Sequence, residues 1–259
     1  MIYYKTNEEI ELLRLSSLLV GKTLAEVARH INPGVTTASL DKVAETFIRD
    51  HGAVPGFKGY GGFPGTLCVS VNDVVVHGIP GNQVLKDGDL VSVDCGVILN
   101  GFYGDSAYSF PVGNVTEEVQ LLMERTKKSL YLGIEAAKAG KRIGDIGYEI
   151  QTYVEQFGYS VVRDLVGHGL GRHLHEKPEV PNFGKRGVGT MLQPGLVICI
   201  EPMINLGRRQ VSQDKDGWTI RTADRKPSAH YEHAIAIREG NTDILSSFDE
   251  IEKVLESKK

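Results

Sequence analysis

Between a Thr6-Asn-Glu-Glu9 capping-box pattern and the stop signal Asn32-Pro33-Gly34, the positions Ile10, Leu13, Ser17, Leu18, Val20, Leu24 and Val27 recur at roughly helical spacing. The pattern predicts one long amphipathic helix. A second is predicted from about Thr37 to Asp50, with Leu40, Val43, Ala44, Phe47 and Ile48 inward and Gly52 just past its end. The arrangement then returns: a helix from Thr116 to about Ala139, Gly140, a helix from about Gly144 to Gln156, and Gly158. At a shift of 106 residues Gly34 falls on Gly140, Phe47 on Tyr153, Ile48 on Val154 and Gly52 on Gly158.

Strand-like runs follow each helix pair. They are predicted at Thr66–Val76, Leu90–Ile98 and Phe102–Phe110, and again at Ser160–Val166, Leu196–Ile204 and His230–Arg238. Leu85–Asp94 aligns without a gap on Leu192–Glu201 at a shift of 107, glycine on glycine and acid on acid. Two nearly equal shifts in unlike stretches argue for a duplicated unit, with halves at about 6–111 and 116–245. Alternation sets the faces: Val91, Val93 and Cys95 oppose Ser92 and Asp94, while Ile198 and Ile200 oppose Glu201. Eleven residues separate Asp94 from Asp105, but thirty-one separate Glu201 from Glu232, so the second half carries an insertion around Gln210 to Lys226 that contains the only tryptophan, Trp218. No linker or low-complexity segment intervenes, so the halves are expected to share one sheet and one core in a single catalytic domain.

Composition narrows the function classes. At 259 residues, 41% hydrophobic and 24% charged, the chain can bury a core without disulfide staples. A net charge of −4 offers no general attraction for nucleic acid or anionic lipid, so direct binding to either is not expected. No apolar stretch approaches a membrane span, and the acidic and basic residues among the first twenty do not resemble a signal peptide, which points to a cytoplasmic protein. Cys68, Cys95 and Cys199 lie in apolar runs without thiolate-metal spacing; Cys95 and Cys199 read as small buried hydrophobes.

The chemistry is carried by Asp94, Asp105, His168, Glu201 and Glu232. Each half supplies two acids, and each supplies a His-Gly after an apolar run, His77-Gly78 and His168-Gly169. Four carboxylates and an imidazole suit a pair of hard or borderline divalent cations, and such a pair can activate water and polarise a carbonyl. Acids clustered without a cation would repel and raise one another's pKa, so the pattern implies a counter-charge. His77, after the valine run Val74–Val76, and His175, within the glycine-rich Gly167–Glu176 where close backbone approach is allowed, are read as functional. His173 is read as a bystander, and His30, His51 and His233 as structural. The glycine-rich stretches Gly59–Gly62 and Gly184–Gly189 lack a lysine-serine phosphate signature.

Ser70–Pro80, Asp87–Asp94, Gly101–Asp105, Gly167–Arg172, Glu201-Pro202 and Tyr231–His233 together resemble the type I methionine aminopeptidases, from about Thr6 to Leu245. The resemblance implies an α+β pita-bread fold, a pseudo-two-fold curved antiparallel sheet backed by two pairs of helices. It implies two divalent metal ions (cobalt, manganese, iron or zinc) held by the five ligands, with Asp105 and Glu232 bridging and Glu201 also shuttling protons. By the same resemblance His77 and His175 contact the substrate peptide, His175 stabilises the tetrahedral oxyanion, and Tyr60, Phe63, Cys68 and Trp218 line a methionine pocket; for Cys68 a plain core position is the alternative. Leu174, Phe57 and His230 depart from the residues usual in bacterial relatives. The implied task is removal of initiator methionine from nascent chains at the ribosome, by a monomer, where the second residue is small. A proline-specific peptidase of the same fold and a non-catalytic binding module are the competing readings.

Overall fold

The computed structural model describes residues 1–258. Its first helix, α1 (Asn7–His30), opens on the predicted capping box: Thr6 accepts from the backbone of Glu9, and the Glu9 side chain accepts from the backbone of Thr6. Such a cap is worth about 0.5–2 kcal/mol. Then follow α2 (Thr37–Asp50) and strands β1 (Val54–Pro55), β2 (Leu67–Val71), β3 (Val74–Val76), β4 (Leu90–Leu99) and β5 (Phe102–Pro111). The second half has α3 (Glu117–Ala136), α4 (Ile143–Glu155), β6 (Ser160–Val161), β7 (Gly167–Gly169), β8 (Glu176–Val180), β9 (Val197–Ile200) and β10 (Met203–Asn205). It continues through β11 (Val211–Gln213), β12 (Ile220–Thr222), β13 (Ser228–His230), β14 (His233–Ile237) and β15 (Thr242–Ile244) to α5 (Asp249–Ser257).

The duplication is written into the hydrogen bonds. Gly34 N donates to Leu85 O at 2.8 Å and Gly140 N to Leu192 O at 2.9 Å, while Leu85 N donates to Val35 O and Leu192 N to Lys141 O, both at 2.8 Å. The matched pairs Gly34/Gly140, Gly52/Gly158 and Gly88/Gly195 all have positive φ, a conformation that β-carbons disfavour, which explains why these positions align as glycine. α1 and α2 back the first-half strands and α3 and α4 the second, and a single apolar cluster runs through both halves, from Leu24, Leu40 and Val91 to Leu130, Ile146, Ile198 and Ile235.

Three expectations are corrected. The stretch Thr66–Val76 is a hairpin rather than one strand, turned at Asn72, whose φ is 56°. Leu196–Ile204 and His230–Arg238 are each interrupted, at Glu201-Pro202 and at Tyr231-Glu232, and only Ser160–Val161 and Gly167–Gly169 pair in and after the Ser160–Val166 run. Backbone pairing therefore divides the curved antiparallel surface into four sheets among the described residues. The insertion is a hairpin, β11–β12, and β12 pairs with β3 of the first half, so it ties the halves together. Not anticipated was α5, whose buried Ile251 and Val254 pack it on α1. Lys258 Nζ closes that contact by donating to the carbonyls of Ala28 (2.7 Å) and Ile31 (2.9 Å) at the end of α1.

Candidate metal centre

Strands β4 and β5 pair over ten unbroken rungs, and residues opposite one another share a face. Asp94 lies opposite Ala107 and Asp105 opposite Gly96, so the two acids are diagonal neighbours on one face. On the other flank of β4, Cys68 lies opposite Asp94, which puts Cys68 on that face too. Gly96 leaves the space that the Phe57 ring fills: a β-carbon there would sit 2.4 Å from Phe57 Cε1.

The second-half acids are held differently. The β9–β14 ladder ends at the rung Ile200–His233, and Glu201 and Glu232 are the next residues beyond it. Pro202 has no N–H with which to extend the ladder. Glu232 instead joins the first half: its N–H donates to Ala107 O at 3.0 Å, and its carbonyl accepts from Ser106 Oγ at 2.6 Å. The carbonyl of Glu201 accepts from Asn182 Nδ2 at 3.0 Å. His168, in β7, donates Nδ1–H to the carbonyl of Gly169 at 2.9 Å, which leaves the Nε2 lone pair facing Asp105 Oδ2 at 3.8 Å and Glu201 Oε1 at 3.7 Å.

Burial pushes the carboxyl of Asp94 up to about 7 and that of Glu201 up to about 8, and holds Asp105 and Glu232 well above the usual carboxylate range, with the neighbouring acids adding to the rise at Asp94, Asp105 and Glu232. Burial also pulls His168 down to about 3, so its contacts with the acids are not ion pairs at neutral pH. Asp94 Oδ1, Asp105 Oδ1 and Glu232 Oε1 are buried with no hydrogen-bond partner among the described residues. Orphaned carboxylate oxygens around a neutral imidazole lone pair are costly by themselves and fit divalent cations. One atom each of Asp105, His168, Cys199 and Glu232 lies within 4.8 Å of the others. Cys199 was missed as a neighbour of the centre, although the alternation that orients Glu201 puts Cys199 on the same face. Its thiol is held well above its ordinary pKa by burial and the neighbouring carboxylates, so it stays protonated rather than acting as a thiolate.

Above the acids lies a cavity of about 110 Å³ lined by Phe57, Tyr60, Phe63, Cys68, His77, Leu174, His175 and Trp218 together with all five predicted ligands. Trp218 meets Phe63 edge to face at 5.2 Å between ring centres and His77 at 6.4 Å. It is carried there by the β11–β12 hairpin, whose tip Asp216 organises by accepting from the backbones of Trp218 and Thr219. His77 holds a left-handed φ of 58°, and Gly78 passes so near β2 that a β-carbon would lie 2.2 Å from Val69 O. His175 Nδ1 is hydrogen-bonded to Tyr60 Oη at 2.8 Å and the ring packs edge-on to His168 at 4.4 Å; partial desolvation at the mouth of the cavity lowers its pKa. His230 Nε2 faces Glu201 Oε2 at 3.7 Å. His173, His30 and His51 are exposed, and His233 is buried behind the sheet, bonded to Ser246 and stacked on Phe248. The three cysteines are free, and Cys95 is fully buried on the opposite face of β4. A larger groove, about 520 Å³ beside Ile2 and Lys177, contains none of the acids.

Residues 11–239 match the model of metallopeptidase family M24. The chain is 52% identical to the methionine aminopeptidase of Clostridium perfringens and 50% identical to methionine aminopeptidase 1 of Bacillus subtilis, each over 95% of this chain and 99% of the relative. The crystal structure of methionine aminopeptidase from Rickettsia prowazekii superposes with a TM-score of 0.94 at 41% identity, covering 95% of this chain and 100% of that one. A prolidase from Pyrococcus furiosus shares the fold at 22% identity and a TM-score of 0.77, and this chain spans only 65% of it. Pita-bread architecture, an acid-lined centre able to hold metal, and identity at this level agree: the chain belongs to metallopeptidase family M24, among its methionine aminopeptidases.

Proposed function

We propose that this chain, acting as a single catalytic domain and a monomer in the cytoplasm, removes initiator methionine from nascent polypeptides at the ribosome when the second residue is small. The observation that carries the reading is the neutral His168 Nε2 among orphaned carboxylate oxygens on the floor of an apolar-walled cavity. Asp94, Asp105, His168, Glu201 and Glu232 would hold two divalent cations, drawn from cobalt, manganese, iron or zinc. Metal held by these residues would supply Lewis-acid charge to balance the carboxylates and polarise the scissile carbonyl. Tyr60, Phe63, Cys68 and Trp218 receive an unbranched, polarisable thioether, and the aromatic walls exclude water. His77 contacts the peptide from the Trp218 side. Glu201, at the cavity floor, takes the proton of the attacking water on a carboxylate oxygen and passes it to the leaving amine. With Tyr60 Oη–H donating to Nδ1 in the active tautomer, His175 would keep its Nε2–H to donate to the carbonyl oxygen as charge develops there.

The test is hydrolysis of Met-Ala-Ser against Ala-Pro-Ser and Met-Ile-Ser, with metal removed and restored. Metal-dependent release of methionine from the first peptide alone is expected; preferential cleavage of the Xaa-Pro peptide would overturn the reading in favour of a proline-specific enzyme. No helix among the described residues is long and apolar enough to cross a membrane.

A further inference from the structure

Behind the loop that carries His175 lies a charged pair with no part in the chemistry above. Lys5 Nζ bonds to Glu176 Oε2, and the two side chains are only 6% and 5% exposed. Burying an ion pair costs most of what its attraction returns, so its presence is weak evidence of a stabilising role. Its connections point elsewhere. The second oxygen, Glu176 Oε1, accepts from His173 N at 3.3 Å. Gly171 makes room for the pair, since a β-carbon there would sit 2.3 Å from Glu176 Oε1 and 2.8 Å from Lys5 Cε. Gly171 in turn donates to His173 O at 3.2 Å and accepts from Tyr103 N at 2.9 Å. On the far side, Lys5 N donates to Gly195 O at 2.7 Å, and Ile2 bridges Lys177 in parallel. The N-terminal strap thus connects the run leading into β9 with the loop from Gly171 to Lys177.

His175 itself stands at the solvent-open mouth of the cavity, and its imidazole makes one hydrogen bond, to Tyr60. At the start of β8 successive side chains point to opposite sides, so His175 turns to the cavity and Glu176 to the strap. We propose that the buried Lys5–Glu176 pair is the positioning device for His175, holding its loop from behind so that the imidazole meets the developing oxyanion. The inference rests on the reading of His175 as a transition-state donor.

The test uses the metal-loaded chain and the double variant Lys5→Met/Glu176→Gln, which removes both charges while keeping unbranched side chains of similar size. Its kcat is expected to fall by about tenfold or more, as misplacing a catalytic group does, with KM and metal stoichiometry little changed. Added to His175→Ala, the same changes should cost nothing further, a coupling that a merely structural role would not produce. Additive losses, or an unchanged kcat, would overturn the proposal. If the double variant fails to fold, Glu176→Gln alone carries the same expectation. If His175→Ala leaves kcat intact, the donor reading fails separately, and positioning is then judged by the His175 imidazole NMR signal: a shifted or broadened signal in the double variant supports it, an unchanged one overturns it.

Discussion

The two halves of the molecule bring the same residue types to one place by different means. In the first half Asp94 and Asp105 sit inside ten-residue strands, and the ladder itself fixes their diagonal relation. In the second half Glu201 and Glu232 lie just past the last rung of β9–β14, and each is held by bonds from outside that ladder: Asn182 to Glu201, and Ser106 and Ala107 to Glu232. A duplicated unit has thus kept one rigid wall and opened the other. Strand-held acids are pre-organised, whereas acids at strand breaks can adjust, which suits the proton-carrying role proposed for Glu201.

The sharpest challenge to this contrast is to neutralise the two acids read as bridging, one from each half. Asp105→Asn and Glu232→Gln are both expected to lower kcat/KM by more than about 100-fold, beyond what changes to outer-shell partners cost, with loss of bound metal by elemental analysis. If one variant kept its metal and most of its activity, the two halves would not share the centre equally.

Next in size is the contrast between Asp94 and Glu201. Glu201→Gln is expected to cost about 10²–10⁴ in kcat, the range for a positioned acid-base group, while much of the metal stays bound. Asp94→Asn should act mainly through metal affinity and recover with added metal. Recovery of Glu201→Gln at high metal concentration would show that Glu201 is only a ligand.

How much of this was legible beforehand differs between the halves for a physical reason. Local signals announced Thr6 as a helix cap, the glycine stops, and the alternation in β4 that turns Asp94 away from Val93 and Cys95; Thr116, read as the first residue of its helix, is instead its cap. They also aligned Leu85–Asp94 on Leu192–Glu201. Non-local terms were not legible. The break at Tyr231-Glu232 has no local cause; it exists because Glu232 N–H finds Ala107 O across the molecule. The pairing of β12 with β3 depends on chain far apart in sequence. Pro202 was a visible signal for the break after Glu201, and the spacing of Ile251, Val254 and Leu255 behind Asp249-Glu250 was one for α5.

Metal removal gives a smaller, pH-dependent effect. In the metal-free chain Asp94 is held at about 7 and Glu201 at about 8, above their unfolded values, so the folded state binds protons more tightly than the unfolded one. Stability therefore falls as pH rises from the unfolded values toward the folded ones. Chelated protein should melt at a lower temperature at about pH 9 than at about pH 5, and manganese should restore more at the higher pH. A Tm that rose with pH in chelator would mean that the acids are not crowded in the metal-free state.

The smallest expected effect tests the open wall directly. Pro202→Ala returns an N–H immediately after Glu201, where β9 stops, and so permits the ladder with β14 to extend toward Glu232. The fold has little to lose, because Pro202 is buried but lies between short strands; the change in stability should stay within about 1 kcal/mol. The centre has more to lose. Drawing Glu201 into the ladder would compete with its Asn182 contact and with the bonds from Glu232 to Ser106 and Ala107. Metal affinity by calorimetry is expected to weaken by about 10-fold, the lower end of what outer-shell changes cost. The matched change in the closed wall, Gly96→Ala, drives a β-carbon into the Phe57 ring and should instead lower stability by about 1–3 kcal/mol, with metal affinity less affected. If Pro202→Ala left affinity untouched, the break would owe nothing to the missing N–H, and the hydrogen bonds of Asn182 to Glu201 and of Ser106 and Ala107 to Glu232 would be sufficient to hold the second-half acids in place.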